Sequence, residues 1–176
     1  TAIDDEAVVS LARLFNEPAG QAHLARKGVP PGLVERLHLL GFSGISNVLS
    51  AIKMAKYYEM GENDIILTVL TDSMELYDSR LKEMRQEFGE YTALDAAVHD
   101  SRYLKGLTTA NMLELTYGDR RRVHNLKYFT WVEQQGKSYE EIQAQWYDPD
   151  YWKGIQALTP AIDNLIMEFN EEVGLI

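Results

Sequence analysis

The sequence predicts a helix-rich α/β fold that contributes one interior strand to a sheet completed by a partner chain. Three observations predict it. Apolar residues recur at the three-to-four spacing of helices along most of the chain. One stretch, 64–71 (DIILTVLT), breaks that rhythm with a continuous run of aliphatic and β-branched residues. No second stretch of that kind exists to pair with it.

Taken in order, Ala7, Val8, Leu11, Leu14 and Phe15 fall on one helical face behind Asp4 and Asp5, and Pro18 stops the run. Short helices fit 19–26 and 31–40, divided by Gly28 and the Pro30-Pro31 pair. The turn Gly41-Phe42-Ser43-Gly44 then opens a helix over 45–58, where Val48, Leu49, Ile52 and Ala55 share a face and Gly61 ends the segment. After the strand, helices are expected over 73–88, 92–105, 109–115, 119–135 and 139–146, with a last one over 151–173 bent at Pro160.

The strand is the informative element. Ile65-Ile66-Leu67 and Val69-Leu70 are apolar on both faces, the pattern of an interior strand in a parallel sheet covered by helices. A lone strand leaves its N–H and C=O groups unpaired, and a stable sheet needs about three strands. The neighbours are therefore expected from elsewhere. The competing reading places 65–70 in a buried helix of an all-helical bundle.

Composition narrows the function classes. The 176 residues suit one domain of ordinary size, and 45% hydrophobic with 25% charged residues is a globular balance. With 17 Lys+Arg against 27 Asp+Glu the net charge is −10, which argues against a binder of nucleic-acid phosphates. No apolar stretch approaches the ~20 residues of a membrane helix. The absence of Cys removes disulfides, thiolate zinc sites and Cys nucleophiles, and makes a cytoplasmic location the default expectation. No His spacing fits a metal site. Thr1 at the start leads to the expectation of a processed chain or a piece of a longer one.

Gly41-Phe42-Ser43-Gly44-Ile45-Ser46-Asn47-Val48, then Ile52-Lys53-Met54-Ala55-Lys56, then 65–70 and Thr71-Asp72-Ser73-Met74-Glu75-Leu76-Tyr77 follow one another as turn, helix, strand and turn. This order resembles the C-terminal part of fold type II pyridoxal-phosphate (PLP) enzymes, in the pattern of cysteine synthase and cystathionine β-synthase. The resemblance covers roughly residues 1–85; residues 86–176 form a helical extension outside it, expected to cover the site or form an interface. Gly44-Ile45 replaces a Ser-Gly of the family turn, and Thr71-Asp72-Ser73 replaces Pro-x-Ser. The resemblance implies that the Schiff-base lysine and the phosphate-binding loop belong to a partner chain, that no residue of this chain is catalytic by itself, and that the pair forms a higher homo-oligomer acting on a small amino acid.

On that resemblance the Ser73 hydroxyl is the partner of the PLP pyridine nitrogen, with Asp72 as its competitor. A neutral partner suits replacement and elimination at Cβ; an Asp would hold the nitrogen protonated. Ser73 could equally serve a helix start, since Asp72 and Glu75 have capping-box spacing. Gly41, Phe42, Ser43 and Gly44 are the second set of cofactor contacts, or an ordinary helix entrance with Ser43 as cap. Arg121, Arg122 and His124, in the basic run from Arg120 to Lys127, are candidates for a substrate carboxylate, or an ion-pair patch on a solvated face. The expected function is thus a PLP-dependent lyase or β-replacement synthase. The alternatives are a deaminase or racemase on the same fold, and a non-catalytic helical interaction subunit.

Overall fold

The computed structural model describes all 176 residues and contains helices and turns but no β-strand. Two compact units divide between Leu113 and Glu114.

The first unit is built around α1 (Asp5–Asn16). Asp4 caps it, accepting from the Glu6 N–H at 2.8 Å, and Asp5 and Glu6 place negative charge at the positive end of the helix dipole. Its face of Ala7, Val8, Leu11, Leu14 and Phe15 is buried. Pro18 ends it and starts α2 (Pro18–Arg26), in whose first turn a missing N–H costs nothing. At Gly20 a Cβ would stand 2.1 Å from the Leu14 carbonyl oxygen, so the two backbones meet at a distance only glycine permits.

A short helix α3 (Pro31–Val34) and a 3₁₀ turn (Leu37–Leu39) occupy the expected 31–40 helix. They lead to α4 (Phe42–Tyr57), whose Ile45 and Leu49 pack into the core with Leu11 and Leu14. Another 3₁₀ turn (Met74–Tyr77) precedes α5 (Asp78–Phe88). Then α6 (Ala93–His99) starts on a Thr92–Asp95 capping box and runs on as a π-helical turn (Asp100–Lys105). Helix α1 packs against α2, α4, α6 and this turn. Residues 109–115, expected as a helix, form a turn and an irregular connection.

The α/β expectation is corrected here. Residues 64–73 belong to neither helix nor sheet. The segment lies along α4, where Asn47 Nδ2 donates to the Val69 carbonyl at 2.8 Å, and Ile66 lines a shallow hollow with Asn47, Ala51 and Met54. The segment is otherwise open: Ile65 is 88% exposed, and Leu67, which lines the same hollow, 93%. A strand exists only through the ladder it pairs with, and no part of this chain supplies one. The segment is not a buried helix either, but the all-helical architecture of that competing reading is the one observed. The fold is all-α.

The second unit holds α7 (Tyr117–Asn125) with a π-helical turn (Tyr128–Glu133), α8 (Tyr139–Tyr147), α9 (Tyr151–Ala157) and α10 (Thr159–Glu172). The last two divide at Leu158, with Pro160 inside the first turn of α10, where a single bent helix was expected. No helix of the chain is long and apolar enough to cross a membrane.

Candidate functional site

Two turns singled out in the sequence, thirty residues apart, meet in the first unit. The Gly41 N–H donates to the Asp72 carbonyl at 2.9 Å. The contact is close because Gly41 has no side chain: a Cβ there would fall 2.7 Å from the Asp72 carboxylate carbon. Any larger residue at 41 would displace the Asp72 carboxylate from this position. Gly44 is under less pressure, since a Cβ would meet Leu40 and Leu70 at an ordinary 3.6 Å.

Gly41 is the N-cap of α4 and offers no side-chain acceptor. The first intrahelical bond runs from Ile45 N–H to Gly41 C=O at 2.9 Å, so the N–H groups of Phe42, Ser43 and Gly44 precede the ladder. Ser43 lies inside the helix and is exposed, which rules out the capping role weighed for it. With the negative charge of Asp72 nearby, this end of α4 is electrostatically complemented.

Asp72 is half-buried and heavily engaged. Its Oδ1 accepts from the Thr71 hydroxyl at 3.0 Å and its Oδ2 from the Tyr77 phenol at 2.5 Å. The bond to Asp72 holds the Tyr77 phenol above its ordinary titration range, since losing the proton would set two negative charges together. The Tyr77 ring also meets Phe42 edge-on, centroids 5.0 Å apart. Tyr77 therefore touches both turns. Sequence reading passed over it; its position five residues after Asp72, with a 3₁₀ turn between, was the available signal.

Ser73 is the N-cap of that 3₁₀ turn. Its Oγ accepts from the Glu75 N–H at 3.3 Å and donates to Glu75 Oε2 at 3.2 Å. The first is the cap bond to the backbone; the second is made to an exposed side chain, which also pairs with His38 at 3.4 Å. The residue that meets the start of α4 is Asp72, while the Ser73 hydroxyl is engaged with Glu75. The corner carries a serine hydroxyl and the first-turn N–H groups of α4 as its donors. It provides neither a lysine nor a phosphate cup.

The basic candidates belong to the second unit, where they hold helices together. Arg121 donates through Nη2 to Gln143 Oε1 at 2.8 Å and lies over the rings of Trp146 and Tyr147 at 5.1 and 4.9 Å. His124 is buried, with Nε2 3.0 Å from the Ile142 carbonyl oxygen and its ring against Trp146. Arg122 is exposed and pairs with Asp119 at 3.4 Å. All three are accounted for by contacts between α7 and α8 or within α7.

Two further polar groups bear on chemistry. Lys53 is the buried lysine, and its ammonium donates to the carbonyls of Ala2 and Ala110 at 3.0 and 2.8 Å, tying both to α4. A cavity of about 420 Å³ between α1, α5 and α6 is lined in part by Arg13, Asp95 and His99. There Arg13 donates to the Gly89 carbonyl and stacks on Tyr91, whose hydroxyl meets His99 Nδ1 at 3.0 Å. Desolvation keeps His99 below the ordinary imidazole range, so its neutral form is favoured. No group of three or more His, Asp or Glu side chains is arranged to hold a metal ion. No protein-family model, curated protein or solved structure matches this chain.

Proposed function

We propose that this chain is one part of a PLP-dependent lyase or β-replacement synthase acting on a small amino acid. It works with a chain that carries the Schiff-base lysine and the phosphate-binding loop, and it supplies the pyridine-nitrogen side of the site. The observation that carries the reading is the meeting of the Gly41–Gly44 turn with Asp72 and Ser73 through the Gly41–Asp72 backbone bond. Composition does not require those turns to meet. The resemblance does.

PLP supplies an electron sink for bond breaking next to the amino-acid α-carbon. The residues of this chain have the narrower tasks of binding and orienting. The Ser73 hydroxyl donates to the ring nitrogen without charging it, which favours replacement and elimination. Phe42 forms wall, and the first-turn N–H groups of α4 offer donors to acceptor atoms of cofactor or substrate. One neutral hydrogen bond contributes about 0.5–1.5 kcal/mol net, against about 8 kcal/mol for micromolar affinity. Most of the affinity must come from the partner.

The test is to purify the native complex, reduce it with borohydride and map the modified lysine by peptide mass spectrometry. The reading expects a pyridoxyl group on a lysine of the second polypeptide. A native complex with no PLP would favour the non-catalytic interaction subunit, a reading the exposed apolar side chains of α10 would then support. Racemase or deaminase chemistry is distinguished by the products formed from small amino acids.

A further inference from the structure

We infer that the cavity between α1, α5 and α6 binds a free α-amino acid with an apolar side chain, its carboxylate held by Arg13 and its ammonium by Asp95. The inference stands apart from the PLP reading, since no residue lining this cavity belongs to the Gly41–Gly44 turn or the Asp72-Ser73 pair. At about 420 Å³ the space lies within the range of small-molecule sites, about 300–1,000 Å³.

Arg13 is the strongest pointer to a ligand. Its side chain is 6% exposed, yet only its Nη2 makes a hydrogen bond, to the Gly89 carbonyl. Nε is buried without a hydrogen-bond partner, with Glu17 Oε1 3.7 Å away. That carboxylate is already committed, because both of its oxygens accept from Arg85 Nε at 3.0 Å. Two guanidiniums therefore share one carboxylate, and Arg13 keeps donors and charge for an acceptor in the cavity. Arg80, the other cation of the lining, is paired at 2.9 Å with Glu83. His99, neutral because it is desolvated, adds polarity to the wall and no third positive charge.

Negative charge lines the same space. Both bonds from Thr92 to Asp95 end on Oδ2, at 2.8 and 2.7 Å, which leaves Oδ1 as an acceptor. Asp5 and Glu6 add two carboxylates from the first turn of α1. This pattern selects the ligand. A simple anion drawn to Arg13 would face three carboxylates, and a simple cation drawn to Asp95 would face Arg13. A zwitterion satisfies both signs at once. The Thr92 bonds hold the Asp95 carboxyl below its ordinary range and Arg13 adds to this, so the two charges lie within electrostatic reach of each other, as those of an α-amino acid do. Val9 and Phe88 offer apolar surface for the side chain.

Amide NMR of the full chain tests this with L-leucine as the probe, at about pH 6, where an α-amino group is charged. Saturable shifts are expected at Gly89 and in α1 and α6. N-acetyl-L-leucine, which lacks the ammonium, and L-leucinamide, which lacks the carboxylate, should each bind at least about tenfold more weakly, the loss expected for one charged contact. No saturable shift with L-leucine, or equal affinity for all three compounds, would overturn the inference. Asp95→Asn keeps a side-chain oxygen for the Thr92 bonds, and should weaken L-leucine about tenfold without weakening N-acetyl-L-leucine. Phe88→Ala, at a residue 57% exposed, does not threaten the fold; it should weaken L-leucine and leave glycine unchanged. Unchanged L-leucine affinity in Asp95→Asn would overturn the site, and in Phe88→Ala the choice of an apolar side chain. No cofactor enters the experiment, so its failure leaves the PLP reading where it stands.

Discussion

The two units spend their apolar residues differently. Of the sixteen buried hydrophobic residues, fifteen lie in the first unit, and Ile142 alone is in the second. The second unit instead joins its helices by polar and cation–ring contacts. Arg121 lies on Trp146 and Tyr147, and Lys127 donates to Gln145 at 2.9 Å while lying near the rings of Trp131 and Trp152. Along α10, Ile162, Leu165, Ile166, Met167 and Phe169 are all exposed. Burial of apolar surface is the dominant favourable term in folding, so the first unit has the stronger basis for standing alone. A candidate site on the first unit, beside α4, thus sits on the unit with the larger apolar core.

Substitutions sharpen this comparison. The largest loss is expected at Leu11, 1% exposed at the centre of α1: Leu11→Ala should cost about 2–5 kcal/mol in denaturant unfolding. Arg121→Ala comes next. It removes two ring contacts and leaves Gln143 without its donor, which should cost about 1–3 kcal/mol, read as faster hydrogen exchange in α7 and α8. If it proved as costly as Leu11→Ala, polar stitching would equal a core and the contrast would fail.

A smaller effect is expected at the caps. Thr92→Ala should cost about 1 kcal/mol by removing the capping box of α6. The hydrogen bonds from Thr92 hold Asp95 below the ordinary carboxylate range. The folded value is depressed, so this contribution is complete above the unfolded pKa of about 3.9 and is lost as pH falls through the folded value. The backbone N–H bond, the larger cause, survives in Thr92→Ala, so losing the hydroxyl bond should flatten the acid limb of the stability curve only in part. Thr116 acts in the same direction on Asp119 at the start of α7, which allows the two units to be followed in one acid titration by carboxylate NMR. The smallest effect is expected at Leu165, 63% exposed on α10, where Leu165→Ala should stay within about 0.5 kcal/mol. A loss of 2 kcal/mol there would mean that α10 is buried in solution.

The residues that sequence reading placed well are those whose signals are local. Asp4 with the apolar face of α1, the stop at Pro18, and Thr92 before α6 each declare themselves within one or two helical turns. The failure at 64–73 has the opposite cause. Ile65-Ile66-Leu67 has strand-like chemistry, but whether it is a strand depends on hydrogen-bond partners, and those are absent from the chain. At the candidate site, the glycine turn and the Asp72-Ser73 pair were legible as motifs. Their meeting through Gly41 was not, nor was the tie from Tyr77, because a contact thirty residues long depends on how α4 returns against 64–73. At Arg121 and His124 the basic run was legible, but not that the Arg121 guanidinium and the His124 ring both lie against Trp146.

The central claim, that this chain supplies one side of a PLP site and not the whole of it, is tested most directly by titrating PLP into the purified chain, alone and then with its partner, while following the visible absorbance of lysine-bound PLP. The account predicts no specific absorbance from the chain alone and a stoichiometric band once the partner is added. A stoichiometric band from the chain alone, mapped to one lysine such as Lys53 and lost with turnover when that lysine is replaced, would contradict it.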